Sequence, residues 1–312
     1  MSSPLLSLPG AVAGDGIDAP VAAHYGSFNG EQRSLESGEG FVDLSHRDVV
    51  RLTGPDRLTW LHSITTQYFE GLQPGVRTSA LILSPQGHIE HGFVGYDDGE
   101  AFTAHTEPGA AAALIAWLER MRFMNRVEIT AEAGLATVWR NGAESFIARD
   151  QLPTYAEAAG PPCGLWAFEA LRIGRGEPRI GLDTDERTIP NEVGLLESAV
   201  HMDKGCYRGQ ETVARVHNLG RPPRRLTLLH LDGSENRLPK LRAAVEPAGG
   251  VETKPVGTVG TSARHHELGP IALALLKRNV PVDAPLRVDG IAAAQEVLVD
   301  PEVGLHFRPH PR

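Results

Sequence analysis

The order of apolar and polar positions changes twice along the 312 residues of the chain. Residues 1–35 mix Pro, Gly, Ala and Ser without a sustained period, which predicts an N-terminal tail. Residues 36–222 alternate strand-like runs with helical spacing, which predicts a mixed α/β body. From about Arg224 onward, short apolar runs are broken by Gly and Pro. This pattern predicts a small β-rich domain, a barrel or sandwich, over residues 223–312.

Within the body, the spacing predicts several short strands and two helices. Asp56 is expected to begin the first helix and Thr106 to cap the second. Residues 84–87 are expected to form the turn of a β-hairpin. The second helix carries an apolar stripe that core packing explains without a ligand. The members of the stripe are Leu114, Trp117, Leu118 and Met121. The predicted strands are 41–45, 49–52, 81–83, 88–94, 127–130 and 135–139.

Composition and charge exclude several classes of protein. The chain has 41% hydrophobic residues and a formal net charge of −9, so a globular protein is expected and a direct DNA binder is not. The basic residues 221–225 are interpreted as a solvated linker. No apolar run approaches the length of about 20 residues that spans a bilayer, so no membrane segment is expected. The first basic residue is Arg33, which argues against an N-terminal leader and favours the cytoplasm.

Familiar catalytic and ligand-binding motifs are absent from the sequence. It has no P-loop, no complete dinucleotide-binding glycine motif and no GxSxG nucleophile elbow. The residues 183–185, Asp-Thr-Asp, lack the Gly and Glu of a calcium loop. Two cysteines, Cys163 and Cys206, cannot form a four-cysteine zinc site or a disulfide framework. His88 and His91 would point to opposite faces of a strand, so we assign no metal site.

The segment with the greatest density of reactive groups is 204–211, Lys-Gly-Cys-Tyr-Arg-Gly-Gln-Glu. Lys204 and Arg208 would favour the thiolate of Cys206 if all three faced one space. In the alternative interpretation, Cys206 is a small buried residue of a structural turn. The two glycines of the segment permit a close approach of the backbone to a ligand or to a neighbouring element.

This segment resembles KGCYxGQE, the signature of the folate-binding YgfZ family. That family is related to the T-protein aminomethyltransferases of glycine cleavage. Further similarity lies in residues 189–195, in Gly54-Pro55-Asp56-Arg57 and in the C-terminal stretch 256–278. The resemblance implies an α+β fold with two interlocked α/β folate-binding units and a C-terminal β-barrel in a ring-like arrangement. It also implies tetrahydrofolate as the ligand and a link to iron–sulfur cluster assembly or repair.

Specific site residues follow from the resemblance. It implies that Glu192 accepts two N–H groups of a reduced pterin, although a glutamate at the start of a helix explains the same position. The other cofactor-binding candidates are Lys204, Tyr207, Arg208, Gln210 and Arg215, and the cations among them, or the run 221–225, would balance the anionic tail of folate. Cys206 is the candidate functional thiol.

Three functions remain open from the sequence. The first is a tetrahydrofolate-binding accessory protein that acts with iron–sulfur assembly proteins or client enzymes. The second is a folate-dependent aminomethyltransferase or demethylase in which Glu90 is catalytic, because Glu90-His91 stands where the T-proteins carry an Asp-Asp pair. The third is a non-catalytic module that binds another planar anionic ligand.

Overall fold

The computed structural model describes residues 2–249 and 254–306. Its chain forms two compact units, each assembled from separate segments. The first unit comprises 1–62, 69–79 and 93–171, and the second comprises 63–68, 80–92 and 172–312. Within the described residues, every helix is too short or too polar to cross a bilayer.

Seven α-helices and seventeen strands are present among the described residues. The helices are α1 (Phe28–Glu36), α2 (Arg57–Ile64), α3 (Ala111–Met121), α4 (Leu152–Ala158), α5 (Leu165–Gly174), α6 (Leu196–Ala199) and α7 (Gln210–Leu219). The first eleven strands are β1 (Val12–Ala13), β2 (Ala22–His24), β3 (Phe41–Asp43), β4 (Asp48–Thr53), β5 (Thr78–Leu83), β6 (Ile89–Asp97), β7 (Ala101–Thr106), β8 (Glu128–Ala131), β9 (Leu135–Arg140), β10 (Ala143–Ala148) and β11 (Pro162–Cys163). The last six are β12 (Arg224–Leu231), β13 (Ala244–Pro247), β14 (Gly257–His265), β15 (Gly269–Lys277), β16 (Leu286–Val288) and β17 (Ile291–Val297).

The strands form two open sheets, a small ribbon and a closed barrel. One open sheet has the order β5-β6-β7-β4-β8 and the other β10-β9-β3-β11, while β1 pairs with β2. The six C-terminal strands close in the order β12-β15-β14-β13-β16-β17 around a core of Leu, Val, Ile and Ala side chains. The predicted α+β class with a C-terminal β-barrel is therefore confirmed. The predicted domain boundaries at 35 and 222 stay predictions.

The hydrophobic pattern located most elements of the body correctly. The predicted hairpin is confirmed, with Ser84 donating its N–H to the carbonyl of His88 across the turn. The second predicted helix is α3, but the prediction that Thr106 caps it is wrong. Thr106 is the last residue of β7 and pairs with Asp48, so α3 begins five residues later. The carboxylate of Asp48 accepts the N–H of Ala111 at 3.0 Å and so takes the role expected of Thr106.

The N-terminal residues contain more structure than their composition predicted. Residues 12–24 form the ribbon of β1 and β2, and α1 follows from Phe28. Glu31 of this helix is buried, and its carboxylate accepts the N–H groups of Tyr25, Ser27 and Gly164. The helix is thus held in part by a buried carboxylate, and its sequence lacks the repeating apolar stripe by which a helix is predicted.

A buried carboxylate, Asp183, joins the end of α5 to the barrel within the second unit. Its Oδ1 accepts both the N–H and the hydroxyl of Thr261 on β14, at 2.6 and 2.8 Å. Its Oδ2 accepts the backbone N–H of Arg179 at 2.8 Å and Nη1 of Arg172 at 3.0 Å. The side chains of Asp183 and Arg172 are 0% and 4% exposed, so this ion pair is shielded from solvent.

Candidate functional site

Residues 204–209 of the signature lie in a loop, and its last two residues, Gln210 and Glu211, begin α7. Lys204 and Tyr207 are buried, whereas Cys206 and Arg208 are exposed. The buried side chains of Lys204 and Tyr207 attach the loop to the rest of the chain, while Cys206 and Arg208 face solvent. The loop therefore has a fixed base and an accessible thiol.

Lys204 is the main anchor of this loop. Its Nζ donates to the backbone carbonyls of Thr65 and Gln67 at 2.7 and 3.0 Å, and it lies 5.4 Å from the centre of the Tyr207 ring. The two carbonyls and the Tyr207 ring therefore stabilise the buried ammonium group from within the protein. The role of Lys204 as counter-charge for a folate tail stays a prediction, and its geometry favours a structural role.

Tyr207 packs beneath the loop. Burial raises the pKa of its phenol to about 12, so the hydroxyl is protonated at neutral pH. Among residues 2–249 and 254–306 this buried hydroxyl has no hydrogen-bond partner. Buried polar atoms are usually paired, so Tyr207 offers a polar group that a ligand or a water molecule can complete.

The second glycine of the signature, Gly209, brings α7 against the turn of the β5–β6 hairpin. Gly209 has a φ of +83°, and a Cβ at this position would lie 2.5 Å from the carbonyl oxygen of Ser84. Gly205 differs, because a Cβ there would meet nothing within 4 Å. The sequence left open whether the glycines allow the backbone to approach a ligand or a neighbouring element. Gly209 allows the close approach to a neighbouring element, the hairpin turn.

The two cysteines occupy opposite environments. Cys206 is exposed in the signature loop. Cys163 is 2% exposed in the core of the first unit, and burial, with a smaller contribution from the charge of Glu31, raises its pKa to about 12. The alternative interpretation of Cys206 as a buried residue is therefore wrong, and that description fits Cys163.

Arg208 and Glu90 form an ion pair between the signature loop and β6. Nη1 of Arg208 lies 3.0 Å from Oε2 of Glu90, and both side chains are about one-third exposed. The sequence suggested that Lys204 and Arg208 would favour the thiolate of Cys206 if all three faced one space. In the structure, Lys204 donates to the carbonyls of Thr65 and Gln67, and Arg208 pairs with Glu90. The proposed catalytic role of Glu90 stays a prediction.

Glu192 lies in a buried turn of 3₁₀-helix, Pro190–Glu192, and is 2% exposed. Its Oε2 accepts the N–H of Ile189 at 3.1 Å, which is the contact that the helix-start interpretation predicts. Arg224, the first residue of β12, grips the same carboxylate with two hydrogen bonds, from Nε to Oε1 at 2.9 Å and from Nη2 to Oε2 at 2.8 Å.

Arg224 also binds a second carboxylate, that of Asp185. Nη1 of Arg224 lies 2.5 Å from Oδ2 of Asp185, and Nη2 lies 3.1 Å from Oδ1. Burial by itself would raise the pKa of Asp185, but hydrogen bonds from Arg224 and Thr188 and the charge of Arg224 outweigh it and hold that pKa well below its ordinary value. The two carboxylates in turn raise the pKa of Arg224 against the effect of burial.

The remaining predicted residues lie on α7. Gln210 donates its side-chain N–H to the carbonyl of Lys204 at 3.4 Å, and Arg215 is exposed on the outer surface of the helix. Their roles in ligand binding stay predictions. Sequence reasoning assigned Asp185 no role beyond a rejected calcium loop, and it placed Arg224 in a run interpreted either as a solvated linker or as counter-charge for a folate tail. The Asp-x-x-Thr-x-Pro-x-Glu spacing of residues 185–192 was the available signal.

Comparison with known proteins places the chain in a family. No protein-family model matches it. The tRNA-modifying protein YgfZ of Edwardsiella ictaluri is 35% identical over 269 residues, which cover 85% of this chain and 74% of that protein. The chain belongs to the YgfZ family.

More distant relatives place this YgfZ-family protein beside transferases. A putative chloroplastic transferase of Arabidopsis thaliana is 26% identical over 66% of this chain, and the alignment spans 60% of that relative's length. The crystal structure of the glycine cleavage system aminomethyltransferase T from Bartonella henselae matches with a TM-score of 0.79 at 17% identity, over 97% of each chain. The YgfZ-family chain thus has the fold of the T-proteins.

Proposed function

We propose that this protein binds tetrahydrofolate and acts in the assembly or repair of iron–sulfur clusters, with Cys206 as its functional thiol. The observation that carries the proposal is the signature loop, in which Lys204 and Tyr207 are buried while Cys206 is exposed between them. Aminomethyl transfer needs no thiol. An accessible thiol suits transient contact with a cluster or with a partner protein, since thiolates are the usual ligands of such clusters.

Membership of the YgfZ family supports the ligand, and the orphaned hydroxyl of Tyr207 supplies a polar group for it. One cysteine cannot hold a cluster that takes four ligands, so the partners are iron–sulfur assembly proteins or client enzymes that contribute the others. The proposed compartment is the cytoplasm, where a free thiol stays reduced.

The geometry favours this accessory role over the transferase alternative. That alternative depends on Glu90 as a catalytic group, and the carboxylate of Glu90 forms an ion pair with Arg208. Catalytic geometry tolerates little displacement, and a paired glutamate with an added methylene is a poor substitute for the aspartate of a T-protein. A non-catalytic module for another planar anion would not require the exposed thiol.

Binding of tetrahydrofolate is measured by anaerobic titration calorimetry of the purified protein. We expect saturable binding that Glu192→Gln weakens by about tenfold or more, because the neutral amide replaces an acceptor of charge-assisted hydrogen bonds. Circular dichroism of the variant controls for folding. Absence of binding to the wild-type protein would overturn the proposed ligand.

The thiol is tested separately with Cys206→Ala. We expect tetrahydrofolate affinity within about twofold of the wild type, since an exposed side chain contributes little to the fold, but a loss of cluster-enzyme activity in cells that depend on the variant. Cys163→Ala is the matched control, because it removes the buried thiol and should leave that activity in place. Wild-type cluster-enzyme activity with Cys206→Ala would refute the thiol role.

A further inference from the structure

The hydrogen-bonding capacity of Glu192 is almost fully used within the chain. A carboxylate has about four lone-pair positions, two on each oxygen. Arg224 and the N–H of Ile189 take both positions on Oε2, and Arg224 takes one of the two on Oε1. Glu192 can therefore accept one further hydrogen bond, whereas a pterin edge with adjacent N–H donors offers two. The carboxylate meets such a ligand only after Arg224 has moved.

Arg224 has an alternative position for its charge. Its Nη2 carries two hydrogens but has three acceptors within 3.2 Å, namely Oε2 of Glu192, Oδ1 of Asp185 and the hydroxyl of Thr188. Its Nη1 already donates to Asp185. If Arg224 leaves Glu192, the two-point pair with Asp185 remains intact and its charge stays compensated.

The exposure of the three side chains agrees with a movement of this kind. Glu192 is 2% exposed, while Arg224 and Asp185 are 23% and 31% exposed. Arg224 and Asp185 thus lie on the solvent side of a carboxylate that is otherwise covered. Moving the guanidinium away from Glu192 breaks one ion pair and keeps the pair with Asp185, so the charge of Arg224 stays compensated. The buried charge of Glu192 is then stabilised by hydrogen bonds from the N–H of Ile189 and from the ligand.

We propose that Arg224 is a movable partner of Glu192, shared with Asp185, and that a ligand that takes Glu192 by two hydrogen bonds transfers Arg224 to Asp185. This inference rests on the proposed folate binding and adds two residues that control it. Asp185 affects affinity without touching the ligand, because it sets the fraction of molecules in which Glu192 is available. Apparent affinity falls in proportion to that fraction.

The test is a double-mutant cycle on tetrahydrofolate affinity, measured by anaerobic titration with the full chain. Asp185→Asn removes the negative charge and one of the two acceptor oxygens that hold Arg224 away from Glu192, and is expected to weaken binding by about tenfold. Arg224→Gln removes the competitor and is expected to tighten binding by about tenfold. In the Arg224→Gln background, Asp185→Asn should change affinity by less than about twofold. The other contacts of the Asp185 carboxylate, with the N–H of Arg187 and the hydroxyl of Thr188, both go to Oδ1 and can be kept by the oxygen of asparagine.

The outcomes separate the switch from the proposed function. If Arg224→Gln weakens binding as Glu192→Gln does, Arg224 positions Glu192 and the switch is wrong; the same conclusion follows if Asp185→Asn has no effect. If the wild type binds and Glu192→Gln binds equally well, folate binding stands and the switch is overturned. If the wild type does not bind, the proposed function itself has failed. Should Arg224→Gln not fold, Arg224→Lys replaces it, because an ammonium cannot make the two-point contact and should also tighten binding.

Discussion

Asp183→Asn is expected to lower the free energy of unfolding by about 3–5 kcal/mol, the typical cost of removing one partner of a buried ion pair. Asp183 accepts four hydrogen bonds from three residues, and its side chain is fully buried. Asparagine has nearly the same shape, so the cost comes from charge and hydrogen bonding. The guanidinium of Arg172 would stay buried opposite a neutral amide, and one acceptor atom would become a donor that faces other donors.

Urea denaturation of the full chain measures this effect as a shift of the midpoint at constant slope. The matched control is Asp283→Asn, because Asp283 is exposed and the same chemical change there should alter stability by about 0.5 kcal/mol or less. A destabilisation by Asp183→Asn as small as that of the control would show that the contacts of Asp183 do not stabilise the second unit.

Local patterns predicted the elements of this protein better than the contacts between them. The hairpin and the apolar stripe of α3 depend on residues a few positions apart, where spacing decides the outcome. The position of the α3 N-terminus was missed because Asp48, more than 60 residues earlier in the sequence, satisfies the first N–H of the helix. Helix α1 was missed for a related reason, since its buried Glu31 binds Gly164.

The same limit applies to the candidate site. The signature indicated Cys206, the similarity over residues 189–195 indicated Glu192, and the family resemblance supplied the roles of both. It could not show that Lys204 binds Thr65 and Gln67, which lie more than 130 residues away, or that Arg224 grips Glu192. The sequence alone does not tell a charged side chain on the surface from one in a buried ion pair. Only the fold distinguishes a cation that can bind a ligand from one that pairs within the protein.

Gly209→Ala is expected to be the most damaging single-methyl change in the signature. The left-handed backbone at φ +83° costs an L-residue about 1–2 kcal/mol, and the overpacking adds about 1–3 kcal/mol. The added Cβ would lie 2.5 Å from the carbonyl oxygen of Ser84 and 3.0 Å from the Cα of Gly87, both backbone atoms that cannot rotate away. The start of α7 would have to move off the hairpin turn, and the loop that carries Cys206 would move with it.

Gly205→Ala is the matched control four residues earlier in the same loop. Its Cβ would enter open space, so stability should change by about 0.5 kcal/mol or less. Urea denaturation gives the stability of both variants, and the rate at which a thiol reagent modifies Cys206 reports on the loop itself. We expect Gly209→Ala alone to lower the denaturation midpoint and to change the rate of Cys206 modification. Equal behaviour of the two variants would mean that the approach of α7 to the hairpin turn does not hold the signature loop, and that Lys204 anchors it alone.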